Sequence, residues 1–330
     1  MAPAFRVGHS AASLGSVGCL MTRPRTHLLP HLALLGGLVS SCSAPDRPAA
    51  LPRELPEALQ ELVAPDSSRV IRVADGVFYR YLWSPRGPWA IHLLEADLTH
   101  CLLGVEVAGA GAGVGVDARA TVSELAARRG EVVLAAVNGD FFTPEGRPLG
   151  PEVTGGVRQS GRERPAAAFR GGFGLPWIGI TGVSAQEVDR TGWPLGGEGP
   201  RAVHVVGGFP ELLDRGKRVG DLEVQANPSF AASRHPRTAV GVSLEDRRLW
   251  WVVVDGRQGT YSTGMTLPEL TALMEALGVE EALNLDGGGS SVMVVKGRAV
   301  SRPSDEDGER AVANALLLVQ DPVFCPVPRR

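Results

Sequence analysis

Lysine is almost missing from this chain. Lys217 and Lys296 are the only two among 33 basic residues, so 33 − 2 = 31 are arginine. A bias that lopsided follows the codon usage of a G+C-rich genome and does not imply 31 functional guanidiniums. No Lys/Arg block occurs, and 33 basic against 36 acidic side chains leave a formal charge of −3. That balance argues against nucleic acid as a partner. Aromatics are scarce at 5%, and no apolar run reaches the ~20 residues of a membrane span. Metal-ligand spacing is missing too: His92, His100, His204 and His235 form no H-x-x-x-H pair and no metal-ligand pairing with cysteines. Neither G-x-S-x-G nor G-x-x-x-x-G-K-[ST] is present, and the glycines of Gly109–Gly115 miss the G-x-G-x-x-G spacing. Serine-hydrolase, P-loop and dinucleotide readings therefore drop out, and no cofactor or metal is expected.

What is there is a globular chain of 330 residues, 44% hydrophobic, with 42 glycines and 25 prolines. Met21 opens a better leader than Met1 does: Arg23 and Arg25 make a basic start and Leu28–Val39 an apolar stretch of signal-peptide length. The stretch ends in Val39-Ser40-Ser41-Cys42, which resembles a bacterial lipobox with Cys42 as the lipidated residue. The expected organisation is a leader at 1–42, a proline-punctuated tether at 43–66 and a single domain at 67–326. A lipid-anchored protein of the cell envelope follows from that reading. Cys101 and Cys325 remain after the leader, and whether they pair stays open at this point.

Strand and turn patterns dominate the domain. Val70–Tyr81 and Trp89–Asp97 read as strands, as do Glu131–Val137, Glu281–Leu285, Val292–Val295 and Ala313–Val319. Arg237–Ser243 and Leu249–Val254 flank a polar turn and read as a hairpin. Two helices stand out. Thr121–Arg129 carries capping-box spacing between Thr121 and Glu124. Thr266–Leu277 has Pro268 and Glu269 in its first turn, an apolar face of Leu270, Leu273, Met274 and Leu277, and a stop at Gly278. The expected fold is α+β: one domain with a mixed, mostly antiparallel sheet and few helices.

Polar residues at the ends of apolar strands are the candidates for chemistry, because a sheet fixes the backbone while the loop exposes the side chain. Asn138, Asp255 and Asp286 hold such positions. Gly287, Gly288 and Gly289 follow Asp286 and would let backbone N–H groups approach an anion. Asp255-Gly256-Arg257 puts a carboxylate and a guanidinium on one turn, and Arg237-Thr238 opens a strand with a guanidinium and a hydroxyl. Carboxylates with arginines and amides fit acid–base work on an anionic substrate.

In order, Asn138-Gly139-Asp140-Phe141-Phe142, Arg237-Thr238-Ala239-Val240-Gly241, Val254-Asp255-Gly256-Arg257 and Asn284-Leu285-Asp286-Gly287-Gly288-Gly289-Ser290-Ser291 resemble the motifs of the phosphodiester glycosidase family. Pro303-Ser304-Asp305 and Arg310 complete the resemblance, which covers roughly residues 130–325. It implies hydrolysis of a sugar-1-phosphodiester at the anomeric carbon, with a carbohydrate phosphodiester as partner. Under it Asp286 is the first choice for nucleophile or base, while Glu152, Asp140 and Asp255 compete for a second role. Arg237 and the Gly287–Gly289 amides would stabilise the phosphate, and Asn138 would hydrogen-bond the sugar. Thr238, Arg257, Ser290 and Arg310 would complete the substrate side. Two other readings stand beside it: an envelope module that binds glycan without turnover, and a hydrolase of the same fold acting on another glycoside or phosphodiester. In each case Asn138, Arg237, Asp255 and Asp286 are expected to line one cleft.

Overall fold

A computed structural model describes residues 54–111, 118–160, 164–170, 177–183, 203–220, 222 and 227–325. All of them belong to one compact unit, Pro48–Arg330. The leader, Cys42, the first part of the expected tether and residues 112–117 of the glycine-rich loop lie outside the described residues. Among the described residues no helix is long and apolar enough to cross a membrane.

The chain opens with helix α1 (Glu57–Val63) and strands β1 (Ser67–Ala74), β2 (Val77–Ser84), β3 (Trp89–Asp97) and β4 (Leu103–Gly109). Helix α2 (Val122–Arg129) leads into β5 (Val133–Asn138). Then come β6 (Glu152–Thr154), β7 (Val157–Ser160), β8 (Arg164–Arg170) and β9 (Trp177–Val183). After β10 (Val203–Gly207), β11 (Glu211–Asp214) and β12 (Lys217–Arg218) comes the short α3 (Pro228–Ala232). The last third runs β13 (Arg237–Ser243), β14 (Arg248–Val254), α4 (Leu267–Ala276) and β15 (Glu281–Asn284). It closes with β16 (Met293–Val295), β17 (Arg298–Ala299) and β18 (Asn314–Gln320).

An eight-stranded sheet has the order β1-β2-β3-β14-β13-β15-β11-β12. Two five-stranded sheets have the orders β17-β16-β5-β18-β4 and β7-β6-β10-β8-β9. The α+β class is as expected: helices are few and the strand pairs of the eight-stranded sheet run antiparallel. Helix α4 makes a crossover, because β14 and β15 both pair with β13 and so run parallel to each other on either side of it.

Three apolar clusters explain the layering. Val240, Trp251 and Val253 of the large sheet meet Val137, Leu316 and Leu318 of the second sheet in the central core. Leu270, Leu273 and Met274 of α4 cover the large sheet's other face, against Trp250, Val252 and Val254. Leu125 and Ala126 of α2 cover the second sheet's other face, against Ala136 and Leu317. Successive residues of β14 thus enter different cores, which is why the segment reads as an unbroken apolar run without alternation. The boundaries of α2 and α4 are set by the expected local chemistry. Thr121–Glu124 and Thr266–Glu269 form complete capping boxes, satisfying otherwise orphaned N–H groups.

The domain starts earlier than expected. Leu59 and Val63, four residues apart on one face of α1, are fully buried in the α4-side core. Arg86 donates to the carbonyls of Glu61 and Leu62, and Ser84 Oγ to that of Val63. The second half of the expected 43–66 tether is therefore part of the fold.

Cys101, in the turn between β3 and β4, is bonded to Cys325 after the last short 3₁₀ turn, with Cα atoms 4.8 Å apart. The bond closes a span of 224 residues, and in the chain-entropy view it stabilises by restricting the unfolded state. Cys101→Ser is expected to lower unfolding stability by about 2–4 kcal/mol, read by thermal melting. Indistinguishable melts of wild type and variant, or of wild type with and without reductant, would contradict the pairing.

Candidate active site

One rim of the sandwich gathers the candidates. Arg237 pairs with Val254 and Ala239 with Asn284, so the start of β13 and the ends of β14 and β15 share that edge. The end of β5 joins it from the second sheet. Asn138 Nδ2 donates to the Asp286 carbonyl at 2.7 Å, and the Asp286 N–H donates to Gly139 O at 3.0 Å. Asn138 Oδ1 accepts from Thr238 Oγ1 at 2.8 Å and from the Val292 N–H at 3.3 Å. Both side chains are fully buried. The sugar-binding role expected of Asn138 does not fit this environment, since both acceptor sites of its oxygen are filled from within the protein. Asn138 and Thr238 instead hold the Asp286 backbone in place.

A pocket of about 130 Å³ opens at this rim, lined by Phe230, His235, Arg237, Arg257, Asp286, Gly287, Gly288 and Arg310. It is smaller than the roughly 300–1,000 Å³ of sites that enclose a whole drug-sized ligand, so it suits one charged end of a larger substrate. A larger hollow of about 440 Å³ lies beside α2, with Ser123, Glu131 and Lys296 in its wall, and contains none of the candidate residues.

Arg237 is built in by three carbonyls: Nε donates to Met265 O at 2.9 Å, and Nη2 to Phe230 O and Ser233 O at 2.8 and 2.9 Å. Nη1 makes no hydrogen bond among the described residues and is the open side of the guanidinium. Burial, with neighbouring Arg257, lowers its pKa to about 10, so it stays charged at neutral pH. Arg257 Nη2 donates to His235 Nδ1 at 3.1 Å and makes no ion pair among the described residues. Arg310 is the paired member, held by Asp305 at 2.8 Å. Against these three cations the pocket presents one carboxylate, Asp286, leaving a positive excess suited to an anion.

Asp286 Oδ1 accepts from the Gly287 N–H at 2.8 Å. Burial pushes the carboxyl up to about 6, opposed by the Gly287 amide, Arg310 and the nearby Ser290 hydroxyl, which falls short of full hydrogen-bond geometry. The expected nest of three open glycine amides is not formed. Gly287 N–H serves Asp286, and the Gly288 N–H donates to Pro236 O at 2.9 Å. Two of the glycines are required by the backbone: a Cβ on Gly287 would lie 2.8 Å from the Pro236 carbonyl oxygen, and Gly288 has a positive φ of 64°. Positive charge comes from side chains where the sequence pointed to backbone.

The other carboxylates separate. Asp140 is buried next to this centre, with Oδ2 accepting from the Gly150 N–H at 2.5 Å; among the described residues Oδ1 has no partner of full hydrogen-bond geometry, although the Phe141 N–H lies near the carboxyl. Burial raises its pKa to about 7, and the charge of Asp286 adds to the rise while Arg164 opposes it. Glu152 does not reach the pocket. It accepts from Asn314 Nδ2, and Asn314 Oδ1 in turn accepts from the Asp140 N–H, so Glu152 braces the Asp140 backbone. Burial raises its pKa as well.

Asp255 turns away from the pocket. Oδ2 meets His92 Nε2 and the Tyr261 hydroxyl, each at 3.0 Å, and Oδ1 accepts from the Arg302 N–H at 3.0 Å. His92 Nδ1 in turn meets the Tyr79 hydroxyl at 2.8 Å. The expected shared cleft therefore holds Arg237 and Asp286 but neither Asn138 nor Asp255. What Asp255 does is tie its own turn, which carries Arg257, to the segment leading into Asp305 and Arg310.

A profile of the family described as phosphodiester glycosidase matches residues 131–319, more than half of the chain. The chain belongs to the phosphodiester glycosidase family. N-acetylglucosamine-1-phosphodiester alpha-N-acetylglucosaminidase of Bos taurus is 34% identical over 196 residues, 57% of this chain and 35% of that protein. A prophage-derived protein of Bacillus subtilis is 30% identical over 207 residues, 62% of this chain and 30% of its own length. The chain thus spans about a third of the curated relatives it matches. Among solved structures, the catalytic domain of the zebrafish N-acetylglucosaminidase, auto-inhibited by its pro-peptide, superposes with a TM-score of 0.56 at 22% identity, covering 77% of this chain and 87% of that one. A hypothetical protein from Synechocystis gives 0.58 at 16% identity, with 77% and 64% covered. Both show the shared fold.

In this phosphodiester glycosidase domain, sequence reasoning missed His235 and Phe230 of the pocket and the His92–Tyr261 support of Asp255. His235 stands two residues before Arg237, and that adjacency was the available signal. Phe230 had none. Asp255→Asn is expected to leave a folded protein that binds inorganic phosphate roughly tenfold more weakly, measured by calorimetry, because both exposed guanidiniums lose their seat. Unchanged affinity would show that Arg257 and Arg310 are placed independently of Asp255.

Proposed function

We propose that this chain hydrolyses the glycosidic bond of a sugar-1-phosphodiester, giving free sugar and a phosphomonoester, with Asp286 as nucleophile or base. The observation that carries the reading is a single carboxylate, Asp286, set in a pocket with three guanidiniums, Arg237, Arg257 and Arg310. In this reaction the bond between the anomeric carbon and the phosphate oxygen breaks, and the electron pair leaves with the phosphate. Such a leaving group is already acidic, so it needs charge neutralisation more than a proton, and guanidiniums supply it. The name and activity of the bovine relative, together with membership of the family, support the same substrate class.

Asp140 takes the second role in this reading. It is the other carboxylate adjoining the centre, and its higher pKa suits a group that holds a proton while Asp286 is charged. Glu152 and Asp255, engaged elsewhere, act as supports. The reading extends to export and lipid anchoring at Cys42: the Cys101–Cys325 bond fits an oxidising compartment, and the leader pattern fits the same route.

Mass spectrometry of the products tests the reaction. Protein from Ser43 onward, given an N-acetylglucosamine-1-phospho-sugar, is expected to release N-acetylglucosamine and a sugar phosphate, with Asp286→Asn inactive. The rate should rise with pH through about 6 as Asp286 ionises. Full activity in Asp286→Asn would remove that residue from the chemistry. Phosphate binding without turnover of any sugar 1-phosphodiester would point to a binding module.

A further inference from the structure

His235 lies in the pocket wall, and the mechanism above does not use it. Its backbone is fixed on both sides, the N–H donating to Met265 O at 3.2 Å and the carbonyl accepting from the Met265 N–H at 3.0 Å. The backbone that carries the ring is therefore anchored on the same residue whose carbonyl holds Arg237. On the ring, Nδ1 faces Arg257 Nη2 at 3.1 Å. A guanidinium nitrogen has only hydrogens to offer, so Nδ1 must be the acceptor and carries no proton. A neutral imidazole with an accepting Nδ1 carries its proton on Nε2. Partial burial and the charges of Arg237 and Arg257 favour that neutral state, holding the ring's pKa below its usual value. Nε2–H has no partner among the described residues, in a pocket whose other polar members are Asp286 and the three guanidiniums.

We propose that His235 is a substrate-contacting residue: fixed as the Nε2–H tautomer by Arg257, it donates a hydrogen bond to the phosphoryl group held in this pocket. The proposal rests on the anion-pocket reading above and assigns that pocket a neutral, directional donor beside its charged ones. A guanidinium attracts any anion from several directions. A single N–H on a fixed ring selects where one phosphoryl oxygen sits, and so which oxygen is turned toward the anomeric carbon next to Asp286.

Two substitutions divide the ring's functions. Asparagine places its amide near the Nδ1 position, so His235→Asn keeps an acceptor for Arg257 but removes the Nε2–H donor. Glutamine reaches the Nε2 position, so His235→Gln keeps a donor to the anion and gives up the Nδ1 acceptor. Sulfate, which stays doubly charged near neutral pH, is the probe, titrated calorimetrically into folded protein at pH 7.5. The expected result is a roughly tenfold loss of sulfate affinity in His235→Asn, the weight of one hydrogen bond to a charged group, and near wild-type affinity in His235→Gln. In the wild type, nitrogen-15 NMR should show the His235 Nε2–H tautomer, with its Nε2 resonance moving on sulfate addition.

The reverse order, Asn tight and Gln weak, would overturn the proposal and leave His235 acting only through Arg257. Equal affinities in both variants, or an Nε2 resonance indifferent to sulfate, would overturn it as well. No turnover enters the measurement, so an enzyme inactive on sugar phosphodiesters would refute the functional reading while leaving this result standing. A wild type that binds neither sulfate nor phosphate would overturn the anion pocket and the role of His235 together.

Discussion

A single buried amide, Asn138, joins the two sheets beside the arginine-lined pocket. Its oxygen takes a hydroxyl from Thr238 on the large sheet and an N–H from Val292 leading into β16, while its nitrogen holds the carbonyl of Asp286. A buried polar group with these three bonds is rigid, because each broken bond leaves a desolvated atom without a partner. The Asp286 carboxylate therefore inherits its position from the pairing of β5 with β16 and of β13 with β15, elements whose placement is fixed by the central core. That is the arrangement a reaction at one carbon requires: the reacting group sits on a loop, but the loop is held by two sheets at once.

Charge is organised around that fixed point in concentric fashion. Asp286 is the carboxylate in the pocket, Asp140 adjoins it from beneath the surface, and Glu152 reaches Asp140 only through Asn314. The guanidiniums differ in how they are held. Arg237 is locked by carbonyls, Arg310 by a carboxylate and Arg257 by a histidine nitrogen. Among the described residues two of the three thus have no ion-paired carboxylate, which costs stability in the empty protein and favours binding of an anion. Asp255 stands behind the two exposed arginines, on the turn that carries Arg257 and bonded to the Arg302 N–H of the segment leading to Arg310.

Much of this was legible in the sequence wherever a signal is local. The Thr121–Glu124 capping box, the start of α4 at Thr266, the hairpin of β13 and β14, and the Asn284–Ser291 block each depend on residues within a few positions of one another. What was not legible depends on the direction a side chain takes. Asn138, Asp255 and Asp286 occupy equivalent places at strand ends, and a polar residue there reads as a ligand contact whether it turns outward or into the seam between sheets. The triglycine reads as an anion nest until Asp286 and Pro236 are seen to occupy two of its amides. Helix α1 was hidden by the prolines around it, since the burial of Leu59 and Val63 follows from tertiary contact with α4. The pairing of Cys101 with Cys325 spans 224 residues and has no local trace.

The central claim is the polarity of the site, with the phosphoryl group toward the arginines and the anomeric carbon toward Asp286. A crystal structure of Asp286→Asn with a bound sugar-1-phosphodiester tests it most directly. The account predicts phosphoryl oxygens within hydrogen-bond distance of Arg237 Nη1 and Arg257, and the anomeric carbon next to residue 286. A phosphoryl group seated away from all three guanidiniums, or an anomeric carbon facing Glu152 or Asp255, would contradict it.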